Sequence, residues 1–149
     1  MSDMEGGIPL PPHVYVPGRT ARHPVDRFAA LRDSVQPGMT SRALAATPAF
    51  RAGLLYLDRG YFWECHEVLE AVWMQTPEAS AERDMVQALI QLANARLKLL
   101  MDRPRAALRL CGMVRAHLAR LPSDRPTLGL EVGEVAARVD SLELGLMGQ

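Results

Sequence analysis

The sequence is poor in cysteine and lysine and has no long apolar run, and each shortage narrows the class of protein. Only two cysteines occur among the 149 residues, Cys65 and Cys111, each at an apolar position of its own predicted helix. We therefore expect two buried free thiols in a reducing compartment. No apolar run approaches the roughly 18 residues of a membrane span, and the amino terminus is acidic, without an apolar signal region. These absences predict a soluble, cytoplasmic protein with no membrane partner.

Charge of one sign is also lacking, since 17 basic residues balance 17 acidic ones and Lys98 is the only lysine. Such a chain has no overall field that would attract nucleic acid, so a nucleic-acid role would need a local basic patch. The one short arginine face, on a helix predicted over residues 105–121, comprises Arg105, Arg109 and Arg120. It has no interleaved aromatic residue, and we interpret it as a solvated face.

Prolines are concentrated at the amino terminus, and they exclude regular helix or a central strand from residues 1–24. We interpret this segment as an extended, proline-rich arm that precedes a single helical domain over residues 25–149. Apolar residues along the arm, including Ile8 and Val16, predict that it lies along the body or on a partner subunit. A disordered tail is the alternative.

The remaining sequence has helical periodicity and no alternating strand pattern, which predicts an all-α fold. Thr47-Pro48 is a helix start signal, Gly60 is a stop signal, and the next helix follows directly, as in a tight helical hairpin. Ser80 caps a long run from Ala81 to Met101 that is apolar almost all round, typical of a buried central helix. The prediction is a compact bundle of five to six helices built from antiparallel hairpins.

The segment 60–73 is the densest in reactive side chains, with both tryptophans, a cysteine, a histidine and three glutamates. At about 100° per residue, His66 and Glu70 lie together at the margin of the core face, while Glu64 and Glu67 are expected to point away from it. The predicted core face is an apolar stripe of Cys65, Val68, Leu69 and Val72.

His66-Glu67-Val68-Leu69-Glu70 is one residue away from the zinc-protease pattern, in which two histidines four residues apart bind the metal. Glu70 replaces the second histidine, and a histidine and carboxylate at this spacing can still chelate a divalent metal. Three readings remain open: a structural hydrogen bond, a metal or small-molecule site that uses His66 and Glu70, and an acid/base pair without metal. The catalytic candidates are His66, Glu70 and Glu67, and the metal candidates are His66 and Glu70. No cofactor is predicted beyond that metal.

A pocket around this pair would have an apolar wall and a few converging polar groups, as small-molecule sites do. We expect helix 60–73 to form one wall of that pocket. The run from Ala81 carries a polar strip, which either faces solvent or faces His66 and Glu70 across the bundle. The strip consists of Gln87, Gln91, Asn94 and Lys98. The ligand-binding candidates are Trp63, His66, Glu70, Trp73, Gln87 and Gln91.

Residues 50–121 resemble the bacterial and archaeal family called domain of unknown function 309 (DUF309). The resemblance is carried by Gly60-Tyr61-Phe62-Trp63-Glu64-Cys65-His66-Glu67-Val68-Leu69-Glu70-Ala71-Val72-Trp73 and by Gln87-Ala88-Leu89-Ile90-Gln91-Leu92-Ala93. It implies a compact all-helical fold and brings no established activity, substrate or cofactor. Ala88 stands where the family commonly has glycine, and Asp102-Arg103-Pro104-Arg105-Ala106 replaces a turn that often contains Gly-Asn. The family's motif positions here are Gly60, His66, Glu67, Glu70, Trp73, Gln87 and Gln91.

Two functional hypotheses follow. The first is a binding or interaction module that associates with itself or with another protein, because an apolar arm and a helix apolar on nearly every side exceed what one short chain can cover. The alternative is a metal-dependent or acid/base enzyme, hydrolase-like, that uses His66 and Glu70.

Overall fold

The computed structural model describes residues 4–147, and within that range it has seven α-helices and one two-stranded sheet. The predicted all-α class is confirmed: five of the helices have 12 residues or more, and the other two have five and six. The chain divides into two compact units, Met1–Gln75 and Thr76–Gln149. The single domain over residues 25–149 stays a prediction.

The first unit contains the arm, the small sheet and four helices. Gly6 and Gly7 join the two strands with positive φ angles of 57° and 82°, which suits a tight hairpin turn. The sequence pattern did not indicate this sheet, because two-residue strands are too short to alternate. The elements are β1 (Met4–Glu5), β2 (Ile8–Pro9), α1 (Ala29–Asp33), α2 (Ser41–Ala46), α3 (Pro48–Arg59) and α4 (Phe62–Met74).

The start and stop signals of α3 are confirmed. The Thr47 hydroxyl accepts the Phe50 backbone N–H at 3.2 Å, and Pro48 occupies the first helical position. Gly60 ends the helix with φ 87°, a left-handed conformation that glycine adopts without a Cβ clash. α4 then begins at Phe62 and packs back against α3 as the predicted hairpin.

Gly53 marks a close contact between α3 and α4. A Cβ atom at this position would lie 2.3 Å from Cδ2 of Leu69, which is fully buried in the stripe of α4. The predicted stripe of Cys65, Val68, Leu69 and Val72 is confirmed, since all four are inaccessible to solvent.

The arm lies against the helices of the first unit over its described residues, 4–24. The Tyr56 hydroxyl donates a hydrogen bond of 2.5 Å to the carbonyl of Pro9, and the Arg51 guanidinium donates one of 2.8 Å to the carbonyl of Gly6. Glu5 pairs with Arg59, and these hydrogen bonds raise the pKa of the Arg59 guanidinium above its ordinary value. Ile8 and Val16 are buried.

The second unit is a three-helix arrangement of α5 (Ala81–Leu100), α6 (Pro104–Leu118) and α7 (Val132–Met147). Ser80 caps α5 as predicted, by accepting the Arg83 backbone N–H at 3.1 Å. Within α5 only Leu100 is exposed, as expected for a helix apolar on nearly every side. The Arg115 guanidinium joins α6 to α7 through Asp140 and Glu143, at 2.6 and 2.7 Å, and these bonds raise its pKa.

Both cysteines are buried free thiols, as predicted, and burial raises the pKa of the Cys111 thiol above its usual range. Among the described residues, no helix combines the length and apolarity needed to cross a lipid bilayer.

The glycine at the α3–α4 contact supports a prediction about packing. Gly53→Ala should lower the free energy of unfolding by roughly 1 kcal/mol, because overpacking against Leu69 costs more than the helix propensity of alanine returns. Gly112→Ala is the matched control: Gly112 lies in α6, a Cβ added there would meet no other atom within 4 Å, and the variant should be more stable by roughly 1 kcal/mol. Urea unfolding measures both, and equal stabilisation by the two variants would contradict the close approach.

Tyr56 supports a prediction about alkaline stability. Burial raises the pKa of Tyr56 to about 12, above the ordinary value of 10.0, so its hydroxyl stabilises the fold below pH 10.0 and stops doing so as pH rises through about 12. Tyr56→Phe should unfold more easily by about 1 kcal/mol at neutral pH, because the bond to Pro9 is lost. The difference from wild type should shrink across that alkaline window in urea unfolding. A constant difference would show that Tyr56 ionises alike in the folded and unfolded chain.

Candidate functional site

A cleft of about 530 Å³ lies in the first unit, between the segment 22–35 and α4. Its size is in the range of small-molecule sites, which typically combine an apolar surface with a few polar groups. Two parts of the chain supply its walls, the end of the arm with α1 on one side and one face of α4 on the other. The lining residues are Arg22, His23, Pro24, Val25, Phe28, Arg32, Val35, Trp63, Glu67, Glu70, Ala71, Met74 and Gln75.

The α4 wall follows from helical spacing. Trp63, Glu67 and Glu70 are four and then three residues apart, so they project from the same face of the helix. Across from them Phe28 is buried, with its ring centroid 6.3 Å from that of Trp63. Arg32 of α1 pairs with Glu67 at 3.6 Å, which places both charge signs in the cleft.

Next to the cleft, one ligand atom each from His66, Glu67 and Glu70 lies within 4.8 Å of the others. His66 Nε2 is 3.3 Å from Glu70 Oε2, so the predicted pairing of these two residues on one helix face is present. The histidine is about one-third exposed and Glu70 about half exposed, so all three groups can be reached from solvent. An imidazole nitrogen and two carboxylate oxygens suit a borderline divalent ion such as Zn²⁺ or Mn²⁺.

The six predicted ligand-binding residues fall into different places. Trp63 and Glu70 line the cleft, whereas His66 and the half-buried Trp73 are not among its lining residues. His66 instead belongs to the three-residue cluster with Glu67 and Glu70. Because Glu67 and Glu70 belong to both, the cluster adjoins the cleft.

The remaining two candidates, Gln87 and Gln91, lie half-buried on α5 in the second unit. The Gln91 side-chain oxygen accepts a hydrogen bond of 3.2 Å from the amide of Asn94, within the polar strip of that helix. Their approach to His66 and Glu70 stays a prediction.

The expected position of Glu64 is wrong. It was predicted to point away from the core, yet its side chain is completely buried. On a helix Glu64 lies only about 40° from Val68, at the edge of the apolar stripe, so one additional layer of chain is enough to enclose it. The arm provides that layer: the Tyr15 backbone N–H donates to Glu64 Oε2 at 2.8 Å, and His23 Nε2 is 2.6 Å from the same oxygen.

His23 is the second residue that sequence reasoning missed. Its side chain is 1% exposed, and its ring lies near the rings of four other residues. The ring centroids are 4.5 Å from His13, 5.4 Å from Phe28, 6.1 Å from Trp63 and 6.3 Å from Tyr15. Among the described residues, neither His23 Nδ1 nor Glu64 Oε1 has a hydrogen-bond partner.

The sequence held only a weak signal for this pair. A charged residue beside an apolar helical stripe predicts solvent exposure unless a partner is known, and the partner lies 41 positions away in a segment without periodicity. The one available indication was the apolar character of the arm, which predicted that it packs on something but not on what.

Comparisons with known proteins support the resemblance stated for this segment. Residues 50–110, from α3 to α6, match the family model described as Domain of unknown function (DUF309). Searches of the curated proteins and of the solved structures returned no match. A bacterial or archaeal origin, self-association and cytoplasmic location stay predictions. Over residues 50–110, the chain is similar to the DUF309 family.

Proposed function

We propose that the protein is a binding module whose cleft between residues 22–35 and α4 takes a small molecule with an apolar body and an anionic group. The cleft itself carries this proposal. Trp63, backed by the buried Phe28, offers an aromatic surface that an apolar body can cover, and Val25 and Met74 are largely exposed at the cleft. Apolar side chains left exposed at a concave site favour a ligand that removes them from water.

The anionic group follows from the two arginines of the cleft. Arg32 is engaged with Glu67, but Arg22 has no ion-pair or hydrogen-bond partner within residues 4–147. A guanidinium presents several donors in a planar fork that matches a carboxylate or phosphate. Arg22 is therefore the residue that would receive the charged end of the ligand.

Naphthoate, an apolar double ring with one carboxylate, is a suitable first probe for the cleft. Ala71→Trp should weaken naphthoate binding at least tenfold, because Ala71 lines the cleft and an indole there would fill it. Ala46→Trp is the matched control, since Ala46 is exposed at the end of α2 and does not line the cleft. Isothermal titration calorimetry on wild type and both variants is the measurement.

The charge is tested in the same titrations with naphthamide, the neutral analogue of naphthoate. Arg22→Gln should weaken naphthoate severalfold and leave naphthamide unchanged, because only the carboxylate uses the guanidinium. If wild type binds neither compound, or if Ala46→Trp weakens binding as much as Ala71→Trp, the cleft is not the ligand site.

The cluster of His66, Glu67 and Glu70 supports a second proposal, a divalent metal site at the edge of the cleft. Its three ligand atoms already lie within 4.8 Å of one another, so side-chain rotations alone would bring them to a shared ion. Such an ion could draw an anionic ligand into the cleft and would support the enzyme alternative, in which His66 is a metal ligand or general base and Glu70 orients it.

Elemental analysis and thermal melts test the metal site. The purified wild type should carry a stoichiometric divalent metal, or gain several degrees in Tm when Zn²⁺ or Mn²⁺ is added, and His66→Gln should abolish both effects. His117→Gln is the matched control, because His117 also pairs with an acid, Asp84 at 2.9 Å, but lies outside the cluster. If no metal is found, none raises the Tm, and His66→Gln melts several degrees lower, His66 is structural and the enzyme alternative is wrong.

A further inference from the structure

Glu67 takes part in two interactions of the first unit that compete for its charge. Its Oε1 lies 3.6 Å from Nη1 of Arg32, which joins the α4 wall of the cleft to the α1 wall. It also offers an oxygen to the cluster with His66 and Glu70, whose ligand atoms lie within 4.8 Å of one another. A single carboxylate therefore connects the candidate metal site with one of the two arginines of the cleft.

The ion pair of Arg32 and Glu67 is easily broken. At 3.6 Å the two groups are too far apart for a good hydrogen bond, and their side chains are 33% and 27% exposed, so solvent screens the attraction. A divalent ion on the carboxylate lies much closer, at about 2.0–2.2 Å for Zn²⁺, and carries twice the charge. The ion therefore prevails where it competes with the guanidinium for Glu67.

Arg32 stays at the cleft when Glu67 binds an ion. Its Nη2 donates a hydrogen bond of 3.3 Å to the carbonyl of Val25, which also lines the cleft. The ion and the guanidinium carry charge of the same sign, so the ion repels Arg32 from α4. Because Arg22 and Arg32 both line the cleft, the release of Arg32 adds a second guanidinium for an anionic group.

The formal charge of the cleft changes in the same direction. Arg22, Arg32, Glu67 and Glu70 all line the cleft, so two positive charges are balanced by two negative ones. In this state the two carboxylates oppose the entry of an anion. A divalent ion bound to Glu67 and Glu70 offsets their charges and leaves the cleft positive, which favours an anion.

We propose that Glu67 couples the metal site to the anion site: an ion on His66, Glu67 and Glu70 releases Arg32 to the anionic group of the ligand. The inference rests on the proposed binding function and the metal site, and it adds the regulation of the first by the second. Because coupling between two sites is reciprocal, the ligand tightens the ion by the same factor as the ion tightens the ligand. Such coupling typically amounts to about 5- to 150-fold.

The wild type is tested by calorimetric titration of metal-free protein and of protein saturated with Mn²⁺, or with Zn²⁺ if Mn²⁺ does not bind. Saturation should tighten naphthoate at least about fivefold. It should leave naphthamide nearly unchanged, because the amide has no charge for Arg32 to receive. Titration of the ion into naphthoate-saturated protein should show the same factor in the ion's affinity.

Glu67→Gln should strengthen binding, a result that a misfolded protein cannot imitate. The variant removes both the partner of Arg32 and one metal ligand, so without metal it should bind naphthoate severalfold tighter than wild type. The ion should then give little further gain. Asp58→Asn is the matched control, since Asp58 is exposed on α3 and does not line the cleft, and it should bind naphthoate like wild type.

Arg32→Gln should strengthen the other binding step. Without the guanidinium that competes for Glu67, the variant should bind the ion tighter than wild type, while the ion should tighten naphthoate less. Arg42→Gln is the matched control, because Arg42 is exposed in α2 and does not line the cleft. It should behave like wild type in both titrations.

The outcomes separate the coupling from the binding function. If naphthoate binds but the ion does not change its affinity, or if neither ion binds, the coupling is wrong and the binding function stands. The coupling is also wrong if Glu67→Gln binds naphthoate no tighter than Asp58→Asn, or if Arg32→Gln binds the ion no tighter than Arg42→Gln. If naphthoate binds neither with nor without the ion, the binding function fails and the coupling fails with it.

Discussion

The buried carboxylate of Glu64 is the constraint on which the arrangement of the first unit depends. A carboxyl group in a solvent-free position lowers stability unless hydrogen bonds replace its lost hydration. Both compensating groups come from the arm, the Tyr15 N–H and the His23 ring. The arm must therefore follow the path that delivers these two groups, although its prolines prevent it from forming helix or a central strand.

The same path builds the cleft. Once His23 is held on Glu64, the chain that follows it must run alongside α4, and Phe28 packs against Tyr56 and Trp63 as α1 begins. The space left between that wall and the face of α4 is the cleft. The irregular segment at the amino terminus therefore contributes to one of the two walls of the candidate binding site.

Local sequence rules account for most of the helical structure. Caps at Thr47 and Ser80 and the left-handed stop at Gly60 are short-range effects, decided by side chains within a few positions of the backbone groups they satisfy. The pairing of His66 with Glu70 is equally local, because residues four apart on a helix are neighbours wherever that helix packs. The same local reasoning gave the wrong exposure for Glu64, because the residues that bury it lie more than 40 positions away in the sequence.

The sequence by itself determined the fold class, the limits of α3, the start of α5, the buried stripe of α4 and the pairing of His66 with Glu70, all of which depend on helical periodicity and capping. Tertiary structure alone decided that Glu64 is buried, that His23 is its partner and that Trp63, Glu67 and Glu70 face a cleft. The physical reason is that the solvation of a side chain depends on the chain that covers it. An arm without periodicity carries no pattern from which its path could be derived.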